Sequence, residues 1–125
     1  DILKDNYVIQ KPCNNLGRDV RVYVIGGKII TAMLRISDKD FRSNFCLGGR
    51  AEVYNLSDEE REKVEKVIRL FDFDFVGIDF IFNNGKIVFN EIEDVVGSRM
   101  VYTYTDIDIV EMYVDYILEK VVKCS

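Results

Sequence analysis

Two breaks in β-rich sequence limit what this chain can become. Gly26-Gly27 separates residues 18–25 from residues 28–36, and Asn83-Asn84-Gly85 separates residues 73–82 from residues 86–92. Glycine enters left-handed backbone without a steric penalty, so such breaks between β-branched and aromatic runs are hairpin signatures. Each hairpin makes its two strands antiparallel neighbours. In the first, Val20, Val22 and Val24 alternate with Arg21, Tyr23 and Ile25. One strand face is therefore apolar and the other mixed.

Helical signals lie between and after the hairpins. Ser57 with Glu60 three residues on is a capping box, and Val64, Val67, Ile68 and Phe71 follow at helical spacing, which predicts a helix over 58–71. A last helix, capped near Thr105 or Asp106, carries Val110, Tyr113, Val114, Ile117, Leu118 and Val121 on one side. Residues 6–11 read as a short strand and 12–17 as turn-rich, whereas 37–49 lack periodicity and read as a surface loop. Hairpins interspersed with helices predict an α+β fold, a largely antiparallel sheet with flanking helices.

At 125 residues the chain is read as one domain with a core that needs no disulfide staples. It starts at Asp1 without a Met and reaches a strand-like run almost at once, which reads as a fragment of a longer protein. With 17 basic against 22 acidic residues and no basic cluster, nucleic acid is excluded as a partner. Cys13, Cys46 and Cys124 form no CxxC pattern, and no histidine accompanies them, so neither a zinc site nor a disulfide framework is signalled and a cytoplasmic setting fits. No apolar run approaches the roughly eighteen residues of a membrane span, so no membrane partner is expected.

The chemistry gathers on the second hairpin. Asp79, Glu91 and Glu93 interrupt strands that are otherwise nearly all apolar, and a carboxylate drawn toward a core needs water or positive charge. Whether they share a face depends on the turn. A two-residue Asn84-Gly85 turn puts Asp79 opposite Asn90 and throws Glu91 to the other face. A three-residue loop sets Asp79 opposite Phe89 and diagonal to Glu91, about 7–8 Å apart at the backbone, close enough to share a cation. Loop length decides between them. Mg²⁺ suits such oxygen ligands. A solvated acidic face neutralised by Lys or Arg is the alternative, and spacing alone leaves both open.

The order GRDVR (17–21), DFRSN (40–44), Gly48-Gly49, GIDF (77–80) and NEIED (90–94) resembles the C-terminal part of ATP-grasp ligases. The likeness is to RimK-like glutamate ligases, carboxylate-amine ligases that join amino acids to a peptide or protein, and it runs from about Tyr7 to the last helix. The resemblance implies that Asp79, Glu91 and Glu93 hold Mg²⁺ ions that bridge the phosphates of ATP. Glu93 stands where the family usually has Asn, which points to Mn²⁺ or to a different substrate. Residues 94–99, DVVGSR, depart from the family's Pro-Gly turn.

By the same resemblance Gln10, Lys11, Pro12 and Cys13 form the hinge that reads the adenine edge, the alternative being an edge strand ending at Pro12. Arg42 and Asn44 are the catalytic candidates at the transferred phosphoryl group, against a solvated loop role. Arg21 and Arg99 are weaker candidates, open between substrate contact and salt bridge. The implied activity is amide formation: a substrate carboxylate attacks the γ-phosphate of ATP, and an amine displaces phosphate from the acyl phosphate. The partners implied are ATP, an acid and amine pair such as an amino acid and a peptide, and the rest of the full-length chain. The N-terminal and Gly-rich-loop subdomains of the family have no counterpart here, so the fragment alone is expected to be inactive. A non-catalytic nucleotide-binding, metal-binding or dimerisation module is the competing reading.

Overall fold

Both turns form as tight two-residue links. In the computed structural model, which describes residues 11–37 and 49–123, Gly26 (φ 54°) and Gly27 (φ 75°) join β1 (Asn15–Ile25) to β2 (Lys28–Ile36). Asn84 (φ 51°) and Gly85 (φ 73°) likewise join β4 (Phe75–Asn83) to β5 (Lys86–Glu93), with Asn83 opposite Lys86. Two consecutive left-handed residues match the twist of the strands they connect. At Gly26 there is a second demand, because the Tyr116 ring occupies the place a Cβ would take.

Of the two turn lengths open to the sequence, the two-residue Asn84-Gly85 turn forms, not the three-residue loop. Glu91 nevertheless stays on the face of Asp79, because Asn90 bulges out: Phe80 pairs with Phe89 but Asp79 pairs with Glu91. The first hairpin has the same construction. Val24 pairs with Ile29 and Tyr23 with Thr31, so Ile30 is the extra residue and Arg35 falls opposite Asp19. A bulge in each returning strand resets the alternation that the turn alone would impose.

β3 (Arg50–Val53) extends the sheet, giving the order β3-β2-β1-β4-β5 with every neighbouring pair antiparallel. β1 is therefore central, paired on one side with β2 and on the other with β4. Both faces of the sheet are covered. Val20, Val22, Val24, Ile78 and Phe80 pack with Val64 of α1 (Asp58–Ile68) on one side. Tyr23, Ile25 and Met33 pack on the other with Met100 and Val101 of α2 (Arg99–Tyr104) and Ile109 of α3 (Ile109–Lys123). Each fully buried aliphatic or aromatic side chain removes enough apolar surface from water to contribute about 1.5–3 kcal/mol.

Helix α1 has both halves of its capping box, Ser57 Oγ accepting from Glu60 N–H and the Glu60 carboxylate accepting from Ser57 N–H. It ends three residues earlier than its periodicity suggests, with Arg69 as C-cap and Phe71 exposed. Helix α3 starts at Ile109, later than the Thr105 or Asp106 cap expected, because the Asp108 carboxylate accepts from Glu111 N–H. β3 and α2, four and six residues long, carry too little periodicity to be seen in sequence. Of the strand expected over 6–11 only Lys11 is described, and it is not in a strand. Most of the loop expected over 37–49 lies outside the described residues.

Candidate functional site

The mixed face of β1 holds a chain of ion pairs that crosses four strands. Asp79 on β4 is 1% exposed. Its Oδ1 accepts from Arg21 Nε at 2.8 Å, and its Oδ2 accepts from Arg21 Nη2 at 2.7 Å and from Arg35 Nη2 at 2.6 Å. Arg35 on β2 forms a two-pronged pair with Asp19 on β1, both bonds 2.6 Å. Arg21 Nη2 reaches Glu93 Oε2 on β5 at 3.0 Å. The sequence runs Asp19, Arg35, Asp79, Arg21, Glu93 in space, with charge alternating at every step.

Register explains the order. Asp19 faces Arg35 across β1 and β2, and Arg21 faces Asp79 across β1 and β4. Glu91 faces Asp79, and Glu93 faces Gly77. The Arg21 side chain runs past Gly77 on its way to Glu93: a Cβ on Gly77 would lie 3.4 Å from Arg21 Cδ and Nε and 2.8 Å from a methyl of Val96. Buried Tyr23 donates from its hydroxyl to the Gly97 carbonyl at 3.0 Å, pinning the segment after β5 over the same face.

Electrostatics follow from burial. Removal from water lowers the proton affinity of Arg21, but the hydrogen bonds and charge of Asp79 outweigh that and hold its pKa above the usual arginine value. Arg35 is shifted the same way, burial being outweighed by the hydrogen bonds of Asp19 and the charge of Asp79. Burial pushes the Tyr23 hydroxyl up, against the pull of Arg21 and Arg35. Four carboxylates, Asp19, Asp79, Glu91 and Glu93, meet two guanidiniums on this face, which leaves it two charges negative.

Asp79, Glu91 and Glu93 are thus brought to neighbouring positions of one face, and Arg21 lies among them. Arg21 is engaged in salt bridges to Asp79 and Glu93. Glu91 is exposed. As they stand, no three carboxylates or cysteines among the described residues are grouped to hold a metal ion. Arg99 is exposed at the start of α2. Lys11 and Pro12 are exposed and Cys13 half-buried, just before β1. Asn14 ties that segment to the β4–β5 turn, its side-chain oxygen accepting from Asn84 N–H at 2.8 Å. Gln10, Arg42 and Asn44 lie outside the described residues.

Asp19 and Arg35 are the members of the network that sequence reading missed. The signal for Asp19 was present, since Asp19, Arg21 and Tyr23 alternate on the face opposite the valines. Arg35 was hidden by the Ile30 bulge, which moves it onto that face.

The five-stranded antiparallel sheet, with helices on both faces and a carboxylate-bearing hairpin, has a fold that is also found in ATP-grasp ligases. The fold is similar to that of the ATP-grasp ligase PsnB complexed with a phosphomimetic variant of minimal precursor, Mg and ADP, with a TM-score of 0.65 over 84% of this chain and 32% of that one at 23% identity. It is also similar to D-alanine--D-alanine ligase from Bacillus anthracis complexed with ATP, with a TM-score of 0.59 over 87% of this chain and 40% of that one at 16% identity. The family model of the RimK-like ATP-grasp domain matches residues 1–117, and the chain belongs to that family. In sequence it is 33% identical over 117 residues to a probable alpha-L-glutamate ligase of Methanococcoides burtonii, and 32% identical over 117 residues to one of Maridesulfovibrio salexigens. Those alignments cover 92% of this chain but 39% of each relative's length.

Proposed function

We propose that the protein containing this chain is an ATP-dependent carboxylate-amine ligase, and that this segment supplies a metal-binding face and part of the nucleotide site. The observation that carries the reading is the register that puts Asp79, Glu91 and Glu93 at neighbouring positions of one face, through a bulge that has to interrupt the ladder to put them there. The donor chemistry fits a hard divalent cation, which takes oxygen ligands. The surplus of two negative charges on the face is the charge that one such ion carries. Glu91 and Glu93 have carboxylate oxygens open to it; Asp79 offers fewer, because three N–H groups already point at its two oxygens.

In this reading Asp79, Glu91 and Glu93 would hold the divalent ion, which would supply charge neutralisation for phosphoryl transfer. Arg42 and Asn44 would act at the transferred phosphoryl group, and Gln10, Lys11, Pro12 and Cys13 would read the adenine edge. Asn14 would hold that segment against the β4–β5 turn. Arg35, held by Asp19, orients Asp79 under the site. Arg99, at the start of α2, is available to a substrate carboxylate. The acid and amine are an amino acid and a peptide or protein, in keeping with relatives named as glutamate ligases. The remaining subdomains of the ligase lie in the rest of the full-length chain.

A non-catalytic module is the second reading, and one observation favours it: Asp79 is fully enclosed by arginines. ADP release separates the two. The full natural chain is assayed with Mg²⁺, ATP and a panel of amino acids and peptides, beside Glu91→Gln. Release that requires an amino acid and is lost in the variant is expected; nucleotide binding without release for any acceptor would favour the module.

A further inference from the structure

We propose that Arg21 is an internal counter-cation that competes with a divalent metal ion for the oxygens of Asp79 and Glu93. The inference rests on the metal reading above and deepens it. One nitrogen, Arg21 Nη2, is shared between Asp79 Oδ2 at 2.7 Å and Glu93 Oε2 at 3.0 Å. It therefore stands between two of the three carboxylates assigned to the metal. A Mg²⁺ ion binds its oxygens at about 2.0–2.1 Å and demands their lone pairs along fixed octahedral directions. A guanidinium already directed at those lone pairs obstructs it by geometry and repels it by charge. Ion entry and the Arg21 contacts to Glu93 and Asp79 are alternatives.

The two arginines differ in what holds them. Arg35 is gripped by Asp19 through two bonds and touches Asp79 through one, so its anchor lies outside the contested oxygens. Arg21 has Asp79 and Glu93 as its ion-pair partners, both of them contested. When Arg21 yields, Asp79 retains Arg35 and is not left as an unpaired buried charge, which is costly. The arrangement lets one arginine exchange with a cation while the other keeps the buried carboxylate in place.

The test uses the full natural chain without nucleotide and reads Mn²⁺ affinity by titration. Arg21→Gln is expected to bind Mn²⁺ at least about tenfold more tightly than wild type, within the ordinary range of a coupling between two ligands. Adding Glu91→Gln to that variant is expected to abolish the gain. Equal or weaker binding by Arg21→Gln overturns the competition. If Glu91→Gln leaves Mn²⁺ affinity unchanged in both backgrounds, the metal reading itself fails, which is a separate result. A second measurement needs no variant: with ¹⁵N-arginine labelling and saturating Mg²⁺ and ADP, the Nε–H of Arg21 is expected to lose its protection from exchange while that of Arg35 keeps it. Retained protection of Arg21 with Mg²⁺ and ADP bound also overturns the proposal.

Discussion

At the scale of single residues, Asp79 is the position whose loss reaches furthest. Asp79→Ala leaves Arg21 and Arg35 buried with one carboxylate fewer, and breaking a buried pair in this way costs about 3–5 kcal/mol. Urea unfolding of the variant should show that loss; a change below about 1 kcal/mol, the range of exposed pairs, would mean the network is solvated. Gly26→Ala should cost about 1–3 kcal/mol from left-handed backbone alone, with the collision against Tyr116 added to it, and thermal unfolding would register it. The identities of Asp79, Glu91 and Glu93 stood out in the sequence because charge in an apolar strand is conspicuous. Their arginine partners did not. Arg21 was visible on the mixed face, but its partners lie on β4 and β5, and strand order is not written in local pattern.

At the scale of elements, both hairpins and two of the three helices were legible, since glycine-bearing turns, a capping box and helical spacing are local signals. The bulges at Ile30 and Asn90 were not, because neither residue is the glycine that usually marks such a site. Deleting Asn90 should leave Glu91 opposite Asp79 in an uninterrupted ladder, with Tm changed by no more than about 5 °C. Inserting a residue beside it should turn Glu91 and Glu93 to the other face and abolish Mn²⁺ binding, which a titration would detect. Helix α3 is fastened by Asp74, which accepts from Lys120 Nζ at 2.6 Å and from the Tyr116 hydroxyl at 2.7 Å. The Lys120 bond, then the Tyr116 bond, holds the Asp74 carboxyl below the usual range. A carboxyl depressed on folding stabilises above its unfolded pKa and loses that contribution as pH falls through the lower folded value. The Tm difference between wild type and Asp74→Asn should therefore be full at neutral pH and vanish in acid, below the ordinary carboxylate range.

At the scale of the whole molecule, the chain has a core on each face of its sheet and spans 39% of the Methanococcoides relative's length. If the remaining subdomains close over the nucleotide, the 125-residue chain alone should release no ADP with any acceptor, while the full natural chain does. Turnover by the short chain would contradict that. Among the described residues no helix is long and apolar enough to cross a membrane. The central place of β1 has a kinetic consequence. Its pairing with β2 closes through a two-residue turn, and so does that of β4 with β5, whereas the seam between β1 and β4 joins Arg21 to Asp79 across 58 positions of chain. Local loops close in microseconds, and distant ones must overcome chain entropy before any contact compensates for it. Each hairpin on its own holds unmatched charges of the network, so the seam and the ion pairs complete one another in a single late event, and refolding should be limited by that docking rather than by either turn.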